Sequence, residues 1–179
     1  MNYIFLAEGF EEIEVVCVVD LLRRSEIDVQ TVSIKADRLV TGAHKVPIMA
    51  DLLLGDISYE DITGIILPGG MPGTTNLSKC KPLIEFLLKA HKDEKLIGAI
   101  CAAPSILGDL GILEGRKAVC YPGYESKLKG ATIVEDSAVR DGHIFTSKSA
   151  GTAVDFSLKL IKHLKSKEDS LNIKRAIIY

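Results

Sequence analysis

Six short apolar runs, separated by stretches with helical periodicity, constrain this chain more than any other feature. NYIFLA (2–7), DVQTVSI (28–34), GIILP (64–68), KLIGAI (95–100), KAVCY (117–121) and HIFTS (143–147) read as strands, and several are continuously apolar instead of alternating. A strand that is apolar on both faces has to be covered on both. The helical patterns at 11–24, 82–92, 104–110 and 152–165 supply the cover. Strands alternating with helices predict a three-layer α/β/α sandwich around a mainly parallel sheet. Residues 35–56 interrupt the alternation, with Gly42 and Pro47 between short β-like pieces, and predict a small antiparallel excursion. With 179 residues and no internal repeat, linker or shift in composition, one domain over 1–179 is expected. The tail SLNIKRAIIY ends apolar and is expected to dock on the body or on a second subunit.

Charge and cysteine usage narrow the function. The formal net charge is −2, and lysines and arginines are scattered with no basic stripe interleaved with aromatics, so no nucleic acid is expected. The opening MNYIFLAEGF loses its apolar character at Glu8, too early for a secretion signal or a membrane span, so a cytoplasmic location is expected. Cys17, Cys80, Cys101 and Cys120 show neither C-x-x-C pairing nor zinc-site spacing, and no His/Asp/Glu grouping has metal spacing. Reduced thiols and no metal are the expectation.

One cysteine stands apart. In GAICAAPSIL (98–107), Cys101 falls where a strand must turn into a helix that opens near Pro104, and Ala102 and Ala103 keep the turn lean. Ligands of parallel sheets bind beyond the carboxyl ends of the strands, and a residue at such an elbow is held in strained dihedrals. A helix N-terminus favours a thiolate, whereas the competing reading of Cys101 is a small buried hydrophobe. LPGGMPGTTNL (67–77) brings a glycine turn from another strand end to the same edge. There the N–H groups of Gly70 and Ala102 form a two-donor pocket for an anionic oxygen. Gly69 allows close backbone approach.

In EGFEEIEVVCVVDLLRR (8–24), helical spacing puts Glu14 on one face with Phe10, Cys17, Val18 and Leu21. A carboxyl in an apolar stripe is expected to have a raised pKa and, beside a thiolate, to donate a hydrogen bond to sulfur. Glu11 and Glu12 read as first-turn acids that complement the helix dipole. Among the histidines, His91 and His163 read as helix C-terminal residues, His143 as a solvated turn and His44 as a surface loop.

Together, AEGFEEIEVVCVVDLLRR, ILPGGMPGTTNL, GAICAAPSIL and DGHIFTSKSAGTAVDF resemble the ThiJ/PfpI family, within it the branch of the Parkinsonism-associated protein deglycase and its bacterial relatives. The resemblance covers nearly the whole chain. It implies a flavodoxin-like fold, a homodimer with its contact on the helix that carries Glu14, a reactive Cys101, a protonated Glu14, and backbone donors at Gly70 and Ala102. The implied activity is glyoxalase or deglycase chemistry on methylglyoxal-type aldehydes or glycated groups without a cofactor, with cysteine oxidation or chaperone action as the alternative. Ala102 stands where protease-like members carry the histidine of a triad, which argues against a peptidase. Tyr121 stands where some nearer members place a pocket histidine, and it is a poor base near pH 7. His44 lies in a segment that in relatives approaches the dimer seam.

Overall fold

The computed structural model describes residues 1–179. The first two thirds of the chain form β1 (Asn2–Leu6), α1 (Glu12–Arg24), β2 (Val29–Ser33), β3 (Leu39–Thr41), β4 (Pro47–Met49), β5 (Leu52–Leu53), β6 (Gly64–Leu67), α2 (Gly73–Ser78), α3 (Lys81–Lys92), β7 (Leu96–Ile100) and α4 (Pro104–Asp109). The remainder adds β8 (Lys117–Ala118), β9 (Thr132–Ile133), β10 (Ala138–Asp141), β11 (Ile144–Ser147), α5 (Ala153–Leu164) and α6 (Lys167–Ala176). Seven strands form one sheet in the order β10, β11, β7, β6, β1, β2, β5. Every pairing is parallel except β10 with β11. The expected antiparallel excursion is the β3–β4 hairpin, which stands outside the main sheet.

Alternation along the strands builds two cores, one on each face. Tyr3, Phe5, Ile65, Leu67 and Ile97 pack against Leu77, Leu83, Leu87, Ile106 and Leu107 from α2, α3 and α4. Ile4, Leu6, Ile66, Leu96 and Phe145 pack against Val15, Val18 and Leu22 of α1 and Phe156 and Ile161 of α5. This is the flavodoxin-like three-layer sandwich that the continuously apolar strands demand. Each fully buried large side chain contributes roughly 1.5–3 kcal/mol. At Gly98 the sheet is thinned for an aromatic: a Cβ there would lie 3.0 Å from the ring tip of Phe156.

Two local expectations, for KAVCY and for His143, need correction. KAVCY keeps strand pairing only at Lys117–Ala118, against Thr132–Ile133. Beyond that the segment crosses strand ends instead of running along one: the Val119 N–H donates to Thr146 Oγ1 and the Tyr121 N–H to the Cys101 carbonyl. The tail docks on the body as expected: it forms α6, which buries Ile173 and ties Tyr179 Oη to Asp155 of α5, while Ile178 projects into solvent. His143 is not a solvated turn residue. It is buried, with Nε2 3.1 Å from Nδ1 of His91, and burial followed by the nearby Arg116 charge lowers its pKa. No helix is long and apolar enough to cross a membrane.

Candidate active site

The chain runs from β1 outward to β2 on one side and returns on the other side through β6 and β7, so the connections diverge between β1 and β6. Such a divergence leaves a crevice beyond the carboxyl ends of the strands. Three neighbouring strands deliver the predicted residues there: α1 follows β1 with Glu14, Gly69 and Gly70 follow β6, and Cys101 follows β7.

Cys101 has φ +65°, the left-handed region that costs a residue with a side chain about 1–2 kcal/mol. Two hydrogen bonds hold it there: its N–H donates to the Ser147 carbonyl at 2.9 Å, and its carbonyl accepts the Tyr121 N–H at 2.8 Å. The elbow is therefore pinned from both flanks. The N–H groups of Gly70 and Ala102 have no carbonyl partner in the turns around the site, and both interact with the Cys101 sulfur. Ser105 Oγ fixes the turn by donating to the Ala102 carbonyl at 2.6 Å.

Glu14 occupies the first turn of α1, where Glu11 is the N-cap and accepts the Glu14 N–H on Oε2 at 2.8 Å. Its side chain is 1% exposed. Oε2 accepts the Gly69 N–H at 2.7 Å, while Oε1 is buried with no hydrogen bond of ordinary geometry. A buried carboxyl oxygen without a donor is where a proton resides. Gly69 lets thiol and carboxyl meet, since a Cβ there would stand 2.5 Å from Cys101 Cβ and 3.0 Å from both Cys101 Sγ and Glu14 Oε2. Gly70, at φ +87°, is equally confined: a Cβ would stand 2.5 Å from the Glu11 nitrogen and the Gly9 oxygen. Gly70→Ala is expected to lower stability by about 3 kcal/mol, since left-handed strain and overpacking against backbone add. Urea denaturation measures it, and a loss below about 1 kcal/mol would show that the turn yields.

The proton affinities of the pair are linked. Burial pushes the Glu14 carboxyl from an ordinary 4.5 up to about 7, against the Gly69 and Cys101 hydrogen bonds and with help from the Glu11 charge. Burial pushes the Cys101 thiol up to about 12, and the charge and hydrogen bonding of the Glu14 carboxylate add to the rise, whereas the Ala102 and Gly70 amides oppose it. The helix N-terminus expected to favour a thiolate does not by itself lower the thiol's pKa. The helix α4 has only six residues and begins at Pro104, so desolvation outweighs its dipole. Once a proton sits on Glu14, the charge contribution disappears and the carboxyl becomes a donor to sulfur. Ionisation of Cys101 is conditional on a neutral Glu14, and the two groups titrate as a unit.

Of the predicted residues, Cys101, Glu14, Gly69, Gly70 and Ala102 converge. Tyr121 joins through its backbone, and its half-exposed ring meets Tyr124 edge-on. His44 does not reach the pair: it bonds Glu12, which lies on the opposite side of α1 from Glu14. Glu12 is more than a dipole acid, since its buried carboxylate accepts the N–H of His44 at 2.6 Å. Ser147 and Ser105, which set the elbow, were not singled out from the sequence; the only signal for Ser147 is its place in HIFTS beside the strand that ends at Cys101.

A parallel α/β sandwich that holds a strand-end cysteine at left-handed dihedrals beside a buried carboxyl defines a class of flavodoxin-like cysteine-elbow proteins. The chain belongs to the DJ-1/PfpI family, whose model matches residues 2–163. Protein DJ-1 homolog B of Arabidopsis thaliana is 39% identical over 175 residues, 97% of this chain and 40% of the relative. The chain thus spans less than half the length of that plant protein. Glutathione-independent glyoxalase DJR-1.2 of Caenorhabditis elegans is 33% identical over 174 residues, 95% of this chain and 91% of the relative. The solved structure of Toxoplasma gondii DJ-1, oxidized, matches with a TM-score of 0.95 and 33% identity, covering 99% of this chain and 97% of that chain.

Proposed function

We propose that the protein is a glyoxalase-type enzyme that converts methylglyoxal-type 2-oxoaldehydes, or the early adducts they form, into 2-hydroxy acids through Cys101. The observation that carries this reading is the buried Glu14 carboxyl, raised to about 7, beside a sulfur that two free amides also reach. The Cys101 thiolate adds to the aldehyde carbon, and the new oxyanion is held by the Gly70 and Ala102 N–H groups and takes the Glu14 proton. Glu14, now a carboxylate, removes the C1 proton and returns it to C2 while the hydroxyl proton passes from the C1 oxygen to the C2 oxygen, so C1 is oxidised to a thioester as C2 is reduced to an alcohol. Water cleaves the thioester to lactate and regenerates the thiol. The electrons stay within the substrate, and the cycle draws on no cofactor.

A second reading has support from the oxidized state of the Toxoplasma gondii relative. In it, two equivalents of peroxide convert Cys101 to a sulfinate, each reduced to water, and the same amides and Glu14 hold the new oxygens. Wild-type protein incubated with methylglyoxal and no added thiol distinguishes the two. Lactate is expected; no lactate, together with selective gain of two oxygens at Cys101 under peroxide, overturns the enzyme reading.

The homodimer belongs to this proposal. Ile13 and Val16 of α1 and Val46 and Met49 of the hairpin are exposed, beside a groove of about 280 Å³ lined by Val15, Val16, Val19, Ile48 and Met49 together with the polar Asp20, Arg23, Thr31 and Asp51. Val16→Glu is expected to give monomers in sedimentation analysis where the wild type gives dimers. A wild-type monomer removes the dimer from the proposal.

A further inference from the structure

The end of the sheet opposite Cys101 carries a cluster that the thiol chemistry does not use. His143 stands in the turn between β10 and β11, and its carbonyl accepts the Ile97 N–H at 3.0 Å. From there β7 runs roughly 13 Å to Cys101. Beside His143 a cavity of about 250 Å³ is lined by Glu94, Arg140, Gly142, His143 and His163, without one apolar side chain. The ring of Phe145 gathers two of them: the His163 ring packs on it at 5.2 Å between centroids, and the Arg140 guanidinium lies 5.5 Å from its centre. Arg140 Nε donates to the Gly142 carbonyl at 2.9 Å, and its Nη groups meet neither a carboxylate nor a carbonyl. Behind the turn, Arg116 presses so closely that a Cβ on Gly142 would stand 2.9 Å from Nη1. His143 is 8% exposed, and its Nε2 is committed to Nδ1 of His91 at 3.1 Å. The side-chain atoms sealed without a partner are Glu14 Oε1 and Ser25 Oγ; His143 Nδ1, equally unpartnered, opens on the cavity that its residue lines. The backbone N–H groups of Gly142 and His143 have no acceptor either.

We propose that this cavity binds hydrogen phosphate between Arg140, His143 and His163, with Glu94 accepting the proton that the ion keeps. Donors outnumber acceptors on its walls, and a guanidinium matches two phosphate oxygens with parallel N–H bonds. The same guanidinium repels a metal ion that the histidines could otherwise hold. Burial, then the charges of Arg116 and His91, lower the pKa of His143, and burial followed by Arg140 lowers that of His163. A phosphate beside them opposes those charges, so both imidazoles take up protons and become donors. Glu94 is the one carboxylate on the wall, and it decides which anion fits. Hydrogen phosphate offers it a P–OH proton, whereas sulfate offers none and meets only repulsion. A histidine pair kept for packing alone explains the contact between His91 and His143. It leaves Arg140, His163 and His143 Nδ1 around one cavity without acceptors. None of the five lining residues belongs to α1 or the β3–β4 hairpin, which carry the proposed dimer contact.

Calorimetric titration of the full chain with inorganic phosphate at pH 7 is expected to show one site per chain, weakened more than about tenfold by Arg140→Ala or His163→Ala. Both side chains are exposed, so the fold survives their loss. Sulfate is expected to bind more weakly than phosphate, and Glu94→Gln to narrow that gap. Glycerol phosphate, whose dianion carries no P–OH proton, is expected to bind more weakly as well; tighter binding than inorganic phosphate would overturn the assignment to the free ion. In ¹H–¹⁵N spectra of the imidazole rings, phosphate is expected to move His143 and His163 toward the protonated form while His44 stays in place. No binding at millimolar phosphate, or affinity unchanged in both Arg140→Ala and His163→Ala, overturns the proposal.

Discussion

Lactate formation from methylglyoxal is expected to fall roughly a thousandfold or more in Cys101→Ser, and by about 10²–10⁴-fold in Glu14→Gln, for different reasons. Serine fits the elbow, but its hydroxyl holds its proton far more tightly than a thiol whose ordinary value is 9.0. Burial works against ionisation of either group. The carbonyl adduct therefore fails to form, and the thioester that makes the last step easy has no oxygen counterpart of equal reactivity. Glu14→Gln keeps an acceptor for the Gly69 N–H and an N–H donor toward sulfur, so addition survives, but no group remains to carry the proton from C1 to C2. Mass spectrometry separates the two variants: trapped methylglyoxal on residue 101 persists in Glu14→Gln and is absent in Cys101→Ser. In wild type the rate is expected to rise as the pair loses its first proton and to fall as it loses the second. Undiminished lactate from Cys101→Ser would mean that another group is the nucleophile.

The layers of the fold were legible because β1, β6 and β7 are apolar on both faces, and only a covered sheet accommodates that. Cys101, Gly70 and Glu14 were legible for a related reason: a small-residue turn after an apolar run, and an acid in an apolar stripe, conflict with their local setting unless something else uses them. What stayed hidden depends on partners distant in sequence. Val119 and Tyr121 leave the strand pattern because Thr146 and the Cys101 carbonyl take their N–H groups. The His91–His143 contact joins residues from the end of α3 and the turn before β11, and a D-G turn before His143 reads as exposed. The direction of the Cys101 shift was misjudged because helix position is visible in sequence and desolvation is not. Residue 101 is surrounded by three strand ends whose packing alone sets its exposure to water.

Glu14→Gln is expected to stabilise the protein at pH 8 while impairing its chemistry. Burial raises the Glu14 carboxyl from 4.5 to about 7. Between those values the folded chain holds a proton that the unfolded chain has released, so stability falls as pH rises through the window. The contribution of the neutral carboxyl is fully present below pH 4.5 and lost above about 7, where the accumulated cost is about 3 kcal/mol. Glutamine has no proton to lose and keeps the Gly69 hydrogen bond. The urea midpoints of wild type and Glu14→Gln are therefore expected to agree near pH 4 and to diverge at pH 8 in favour of the variant; titrating groups other than Cys101, which is coupled to Glu14, cancel in the difference. Burial is the largest cause of the rise, so the divergence is expected to persist when Cys101 is replaced by alanine in both proteins. Disappearance in that background would trace the cost to the thiol instead, and equal midpoints at pH 8 in the wild-type background would show that the carboxylate is accommodated without penalty. A chain that keeps an acid where an amide packs more stably keeps it for the proton it can move, and the cost at pH 8 measures how strongly the site holds that proton.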